Sequence, residues 1–138
     1  MKIWLDDQLD DPDPDLKEQR WTPEGWVGAR NGAEFKSLIE GALKQGEPIE
    51  AIDFDNDLGE PVEGYHLVQW LQKEHPEIIE LNPNIELRVH SKNNVGEQNL
   101  WREIGALKRD YKKLMEIRDL PSPWDSLPED NETKNKSR

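Results

Sequence analysis

Asp6 and Asp7 close one short apolar run, Asp55 and Asp57 close another, and His90-Ser91 closes a third. Carboxylates gathered within a few ångströms raise one another's pKa unless a cation holds them ionised. Hard oxygen donors favour Mg²⁺ or Ca²⁺, and Mg²⁺, or Mn²⁺ in its place, keeps waters that bridge to phosphate. Asp6, Asp7, Asp55 and Asp57 are therefore candidate metal ligands. The competing reading makes them ordinary loop starters after strands. His90, with a pKa near neutrality, can donate a proton to a leaving oxygen, or can be a structural histidine bonded to backbone. Ser91 and the turn after it can hold phosphate through hydroxyl and backbone N–H, with Gly96 near a helix N-terminus. A plain Asx turn reads equally well there. His66, at a helix start, is a weaker candidate.

These residues need elements to bring them together. Residues 2–5 read as a buried strand. The acidic, proline-containing stretch 8–22 reads as a loop, and 25–29 as a second short strand. Asn31 followed by Glu34 is a helix-start signature, and Phe35, Leu38, Ile39, Ala42 and Leu43 form one face of a helix over 33–44. A strand over 49–54 follows, then a helix over 63–73 closed by Pro76. A strand over 85–89, a turn at 93–96 and a helix over 97–118 complete the order. The polar tail 119–138 reads as disordered, leaving one α/β domain at 1–118. Strands alternating with helices imply a parallel sheet with right-handed crossovers. Sites in such sheets form beyond the carboxyl ends of the strands, where all three chemical runs fall.

Of the 138 residues, 33% are hydrophobic and 35% charged, with a net charge of -12. Duplex DNA is not an expected partner, because phosphate contact needs clustered Lys and Arg. Cations or a basic protein suit the charge better. A phosphate ligand would need an offsetting ion. The absence of cysteine excludes disulfides, zinc thiolates and cysteine nucleophiles. No apolar stretch has the length of a signal peptide or membrane span, so a cytoplasmic protein is expected. Of the six tryptophans, Trp4 and Trp70 are expected to anchor the core, Trp21 and Trp124 less so.

Leu5-Asp6-Asp7, Arg20 to Trp26, Asp55 to Gly59, Gly64-Tyr65 and His90 to Gly96 together resemble the cyclic-phosphate-processing receiver-like domains. The resemblance covers about residues 2–115. It implies a variant of the response-regulator receiver fold, a small flavodoxin-like, three-layer α/β domain; the element order gives that sheet four parallel strands, with the fifth of an ordinary receiver missing. It also implies metal binding at Asp6 and Asp7 and a phosphoacceptor-like Asp55 or Asp57. His90, Ser91 and Asn93 would form the family's extra polar set. Three features depart from the pattern. An acidic insert separates Asp7 from Arg20, His66 stands where Asp is usual, and Asn94 stands where Pro is usual.

Three functions follow as expectations. One is a Mg²⁺- or Mn²⁺-dependent phosphoesterase acting on a cyclic phosphate of a small molecule, nucleotide or RNA end. Asp55, Asp57 and His90 would be catalytic, and Ser91, Asn93, Lys92 and Arg20 would bind substrate. The second is a phosphoryl-accepting receiver, disfavoured because no fifth strand ending in Lys follows His90. The third is an inactive acidic interaction protein.

Overall fold

The computed structural model describes residues 1–9, 21–91 and 94–121. Arg20, Lys92, Asn93, Trp124, most of the acidic insert and most of the tail lie outside the described residues. The elements are β1 (Lys2–Leu5), β2 (Val27–Ala29), α1 (Gly32–Gln45), β3 (Ala51–Phe54), α2 (Gly64–Glu74), α3 (Glu77–Leu81), β4 (Glu86–Val89) and α4 (Asn94–Asp119). The strands form one parallel sheet in the order β2-β1-β3-β4. Helix α4 follows β4 directly, and no fifth strand occurs among the described residues. This is the expected receiver-like α/β class.

Local chemistry explains where the elements begin and end. Asn31 Oδ1 accepts the Glu34 N–H at 2.9 Å and starts α1, and Gly46, at φ 70°, ends it in the left-handed region. Strand β2 starts later than expected because Gly25, at φ 84°, and a Trp26 N–H to Pro23 carbonyl bond of 3.0 Å form a turn. Helix α3 was not legible: Pro76 read as a stop. Its φ of -63° and ψ of -20° are already helical, so it opens a short helix that buries Ile78 and Ile79. The turn expected at 93–96 is instead, from Asn94 onward, the first turn of α4. Proline is favoured at such a position, and Asn94 occupies it without breaking the helix.

The sheet has two unlike faces. Ile3, Leu5, Ala29, Ile52, Phe54 and Leu87 lie in one buried cluster with Phe35 and Ile39 of α1, Leu67 and Leu71 of α2, Ile78 of α3, and Leu100, Ile104 and Leu107 of α4. The crossovers β2–α1–β3 and β3–α2–α3–β4 step the same way across the sheet, so right-handedness puts their helices on one side. Helix α4 packs back on α2 and joins them. No described helix covers the other face, which carries Lys2, Trp4, Gly28, Asp53 and Arg88 in register. The third layer expected from the resemblance is therefore not supplied by a described helix. Trp70 packs against the core as expected. Trp4 does not: it lies on the helix-free face, against Trp26 and His90.

Two glycines fix the loop after β3. The Gly64 N–H donates to the Asn56 carbonyl at 2.8 Å. A Cβ on Gly64 would collide with the Asp55 carbonyl, and one on Gly96 would meet the Asn56 side chain. Gly64→Ala is expected to destabilise the protein by about 1–3 kcal/mol, as overpacking does, read from urea unfolding. A midpoint equal to the wild type's would show that the loop yields freely.

Candidate active site

Strands β1, β3 and β4 each hand their first post-strand residue to the same edge by the same bond. The Asp6 N–H donates to the Ala29 carbonyl at 3.0 Å, Asp55 to Leu5 at 3.1 Å and His90 to Phe54 at 2.9 Å. The ladder thus runs one residue past β1, β3 and β4. Because side chains alternate along a strand, Asp6, Asp55 and His90 fall in phase with the helix-free face.

Their ligating atoms converge. One oxygen of Asp6, one of Asp55 and a ring nitrogen of His90 all lie within 4.8 Å of one another. Asp6 is 0% exposed and Asp55 6%. Asp6 Oδ1 accepts the Gln8 N–H at 2.9 Å, and its Oδ2 faces His90 Nε2 at 3.3 Å. Asp55 Oδ1 accepts the Asp57 N–H at 3.4 Å.

Asp53, a residue not singled out from the sequence, organises His90. It is only 4% exposed. Its Oδ1 bonds His90 Nδ1 at 2.7 Å, and its Oδ2 accepts from Arg88 Nε at 3.0 Å. Trp4 stacks on the imidazole, with centroids 4.3 Å apart and planes 14° apart. Trp26 meets Trp4 edge-on at 5.5 Å, and the Arg88 guanidinium lies 4.9 Å over Trp26. The imidazole is therefore fixed in plane by Asp53 and in tilt by Trp4.

The electrostatics follow from burial and neighbours. Burial, then the field of Asp6, raises the Asp55 carboxyl to about 6, with His90 and the Asp57 N–H partly offsetting the rise. Burial opposes charge on His90, but its hydrogen bonds to Asp53 and Asp6 and the fields of Asp53 and Asp55 outweigh burial. The imidazole rises to about 9. Two buried carboxylates with one imidazole nitrogen are a donor set that fits a divalent cation.

Not every sequence candidate joins this group. Asp7 adds to the field on Asp55 but lies outside the converging set. Asp57, expected among the metal ligands and catalytic residues, has an exposed side chain and contributes its N–H. Ser91, half-buried, directly follows His90. Arg20, Lys92 and Asn93 fall outside the described residues. His66 has local work instead: its Nδ1 accepts the Glu63 N–H at 2.9 Å at the start of α2.

Fold and site together define a receiver-type domain with an Asp–Asp–His group at the strand ends. A family model for the cyclic-phosphate processing receiver domain matches residues 1–106, and the chain belongs to that family. No curated protein and no solved structure gave a match. No described helix is long and apolar enough to cross a membrane.

Proposed function

We propose that the protein is a metal-dependent phosphoesterase that opens a cyclic phosphate of a nucleotide or an RNA end. The convergence of Asp6, Asp55 and His90 carries the reading, with family membership naming the substrate class. Asp6 and Asp55 hold the cation, Mg²⁺ or Mn²⁺. When bound, the cation offsets phosphate charge and acidifies water. Hydrolysis forms one phosphorus–oxygen bond to water, which gives up a proton to solvent, and breaks one to the ring alkoxide, which must gain a proton. His90 is charged at neutral pH and presents that proton on Nε2, while Asp53 holds Nδ1. Ser91, Asn93, Lys92 and Arg20 remain proposed phosphate contacts, and a cytoplasmic setting suits a cysteine-free chain.

Phosphorus NMR of a nucleoside 2′,3′-cyclic phosphate with Mn²⁺ tests the reading. Conversion to the phosphomonoester, lost in Asp55→Asn, is expected; no conversion with any divalent metal would overturn it for that substrate.

One observation favours a second arrangement, since a ring nitrogen of His90 itself lies among the converging atoms. As a third ligand, His90 would have to lose its proton. The two are separated at pH 7.5, between the Asp55 and His90 pKa values. The general-acid arrangement predicts essentially no proton release on Mn²⁺ binding, measured by calorimetry in buffers of different ionisation enthalpy. The ligand arrangement predicts about one proton per ion.

A further inference from the structure

We infer that the groove between the β2 edge and α1 binds the nucleoside part of the substrate, with Arg30 at its mouth taking the phosphate. This rests on the proposed phosphoesterase reading. Arg30 occupies, after β2, the position that Asp6, Asp55 and His90 occupy after the other strands. In sheet order the four strand ends therefore read Arg30, Asp6, Asp55, His90.

The Arg30 main chain is fixed by its N–H bond to Glu34 Oε1 at 2.8 Å, while its side chain is 53% exposed. Its ion pair to Glu34 is long, at 4.0 Å, so among the described residues most of the guanidinium's donors are left for a ligand. Two cavities meet at Arg30 and Ala33. One, about 640 Å³, runs toward Asp7 and Gly59 on the side of the acidic cluster. The other, about 670 Å³, runs along Leu9, Gly28 and Leu38, with the hydroxyl residues Thr22 and Ser37 on its wall. That volume is in the range of small-molecule sites, about 300–1,000 Å³.

The two halves differ as the two halves of a nucleotide differ. Among the described lining residues, Arg30 is the single cation of either cavity. A phosphate at the junction meets that charge, and forked Arg–phosphate contacts are strong and directional. Beyond it, aliphatic walls suit the faces of a base, and hydroxyl and Glu34 carboxylate groups suit its edge or the ribose. Gly28 keeps this wall in place: a Cβ there would fall 2.7 Å from Thr22 Oγ1 and 3.1 Å from Leu9 Cδ1. Ala33 and Ser37, one turn apart on α1 and exposed, form the opposite lip.

The test compares binding of adenosine 2′,3′-cyclic phosphate and glycerol 1,2-cyclic phosphate to the full chain with Mn²⁺. The nucleotide is expected to bind about tenfold tighter, or about 1.4 kcal/mol. Ser37→Trp, which fills the groove from an exposed position, should bring that ratio close to one and leave glycerol cyclic phosphate binding unchanged. Arg30→Gln should weaken both ligands alike. A wild-type ratio near one, a ratio preserved in Ser37→Trp, or no effect of Arg30→Gln would each overturn the inference. If neither phosphate binds, the phosphoesterase reading falls, and adenosine alone then decides the groove. Adenosine shifting the Ala33 and Ser37 amide resonances in the wild type but not in Ser37→Trp upholds it; the absence of those shifts overturns it.

Discussion

Metal-free Asp55→Asn is expected to melt at a higher temperature than the wild type above pH 6, and to melt lower once both are given saturating Mn²⁺. Asp55 has a folded pKa of about 6, above its ordinary value of 3.8, because it is buried beside Asp6. The sign follows from linkage. A carboxyl raised by folding costs nothing below the unfolded value and destabilises increasingly as pH rises from about 4 through 6. Asparagine has no charge to bury, so the metal-free difference between variant and wild type should open across that window and then level. The cation reverses the order because it binds the folded wild type alone. A ligand at about 100 times its Kd adds about 2.7 kcal/mol to folding. The variant, short of one carboxylate, should gain little at the same concentration and should lose turnover by at least about 100-fold. Thermal melts at pH 4, 6 and 7.5, with and without Mn²⁺, check all of this. Equal stabilisation of both proteins by Mn²⁺ would remove Asp55 from the site.

His90→Gln is expected to lower kcat by about 10²–10⁴-fold, the usual worth of a positioned acid or base. Asp53→Asn distinguishes a proton donor from a structural histidine. In the wild type, activity should fall at alkaline pH, where His90, its pKa raised, loses its proton. Asp53 supplies a hydrogen bond and a charge that hold that value up. With Asn at 53 the alkaline limb should therefore move toward neutral pH. A merely structural Asp53 would lower stability and leave the limb in place. A pH–kcat/KM profile of the wild type and of Asp53→Asn reads the difference.

The strand ends were legible because three apolar runs each stop abruptly at chemistry, and parallel topology then forces the stops onto one edge. Asp6, Asp55 and His90 were found that way. Asp57 was grouped with them by proximity in sequence, but only its N–H reaches Asp55. Asp53 is the odd polar residue of an apolar strand. Its signal was present in the neighbouring strands: Lys2-Ile3-Trp4-Leu5 and Glu86-Leu87-Arg88-Val89 place polar or indole side chains at alternate positions. A parallel strand buried on both faces reads as a continuous apolar run, so this alternation marks the face that the described helices leave open. It also explains why Trp4, read as a core anchor, stacks on His90 instead. Helix α3 was hidden because proline terminates a helix and opens one with the same fixed φ.

The most direct test of the central claim, a divalent-cation site that Asp6 and Asp55 build beside His90, is a Mn²⁺ titration followed by electron paramagnetic resonance of the free ion. The account predicts one tight Mn²⁺ per wild-type chain, lost in Asp6→Asn and in Asp55→Asn and retained in Asp57→Asn. Equal binding by all four proteins, or no binding by the wild type, would contradict it.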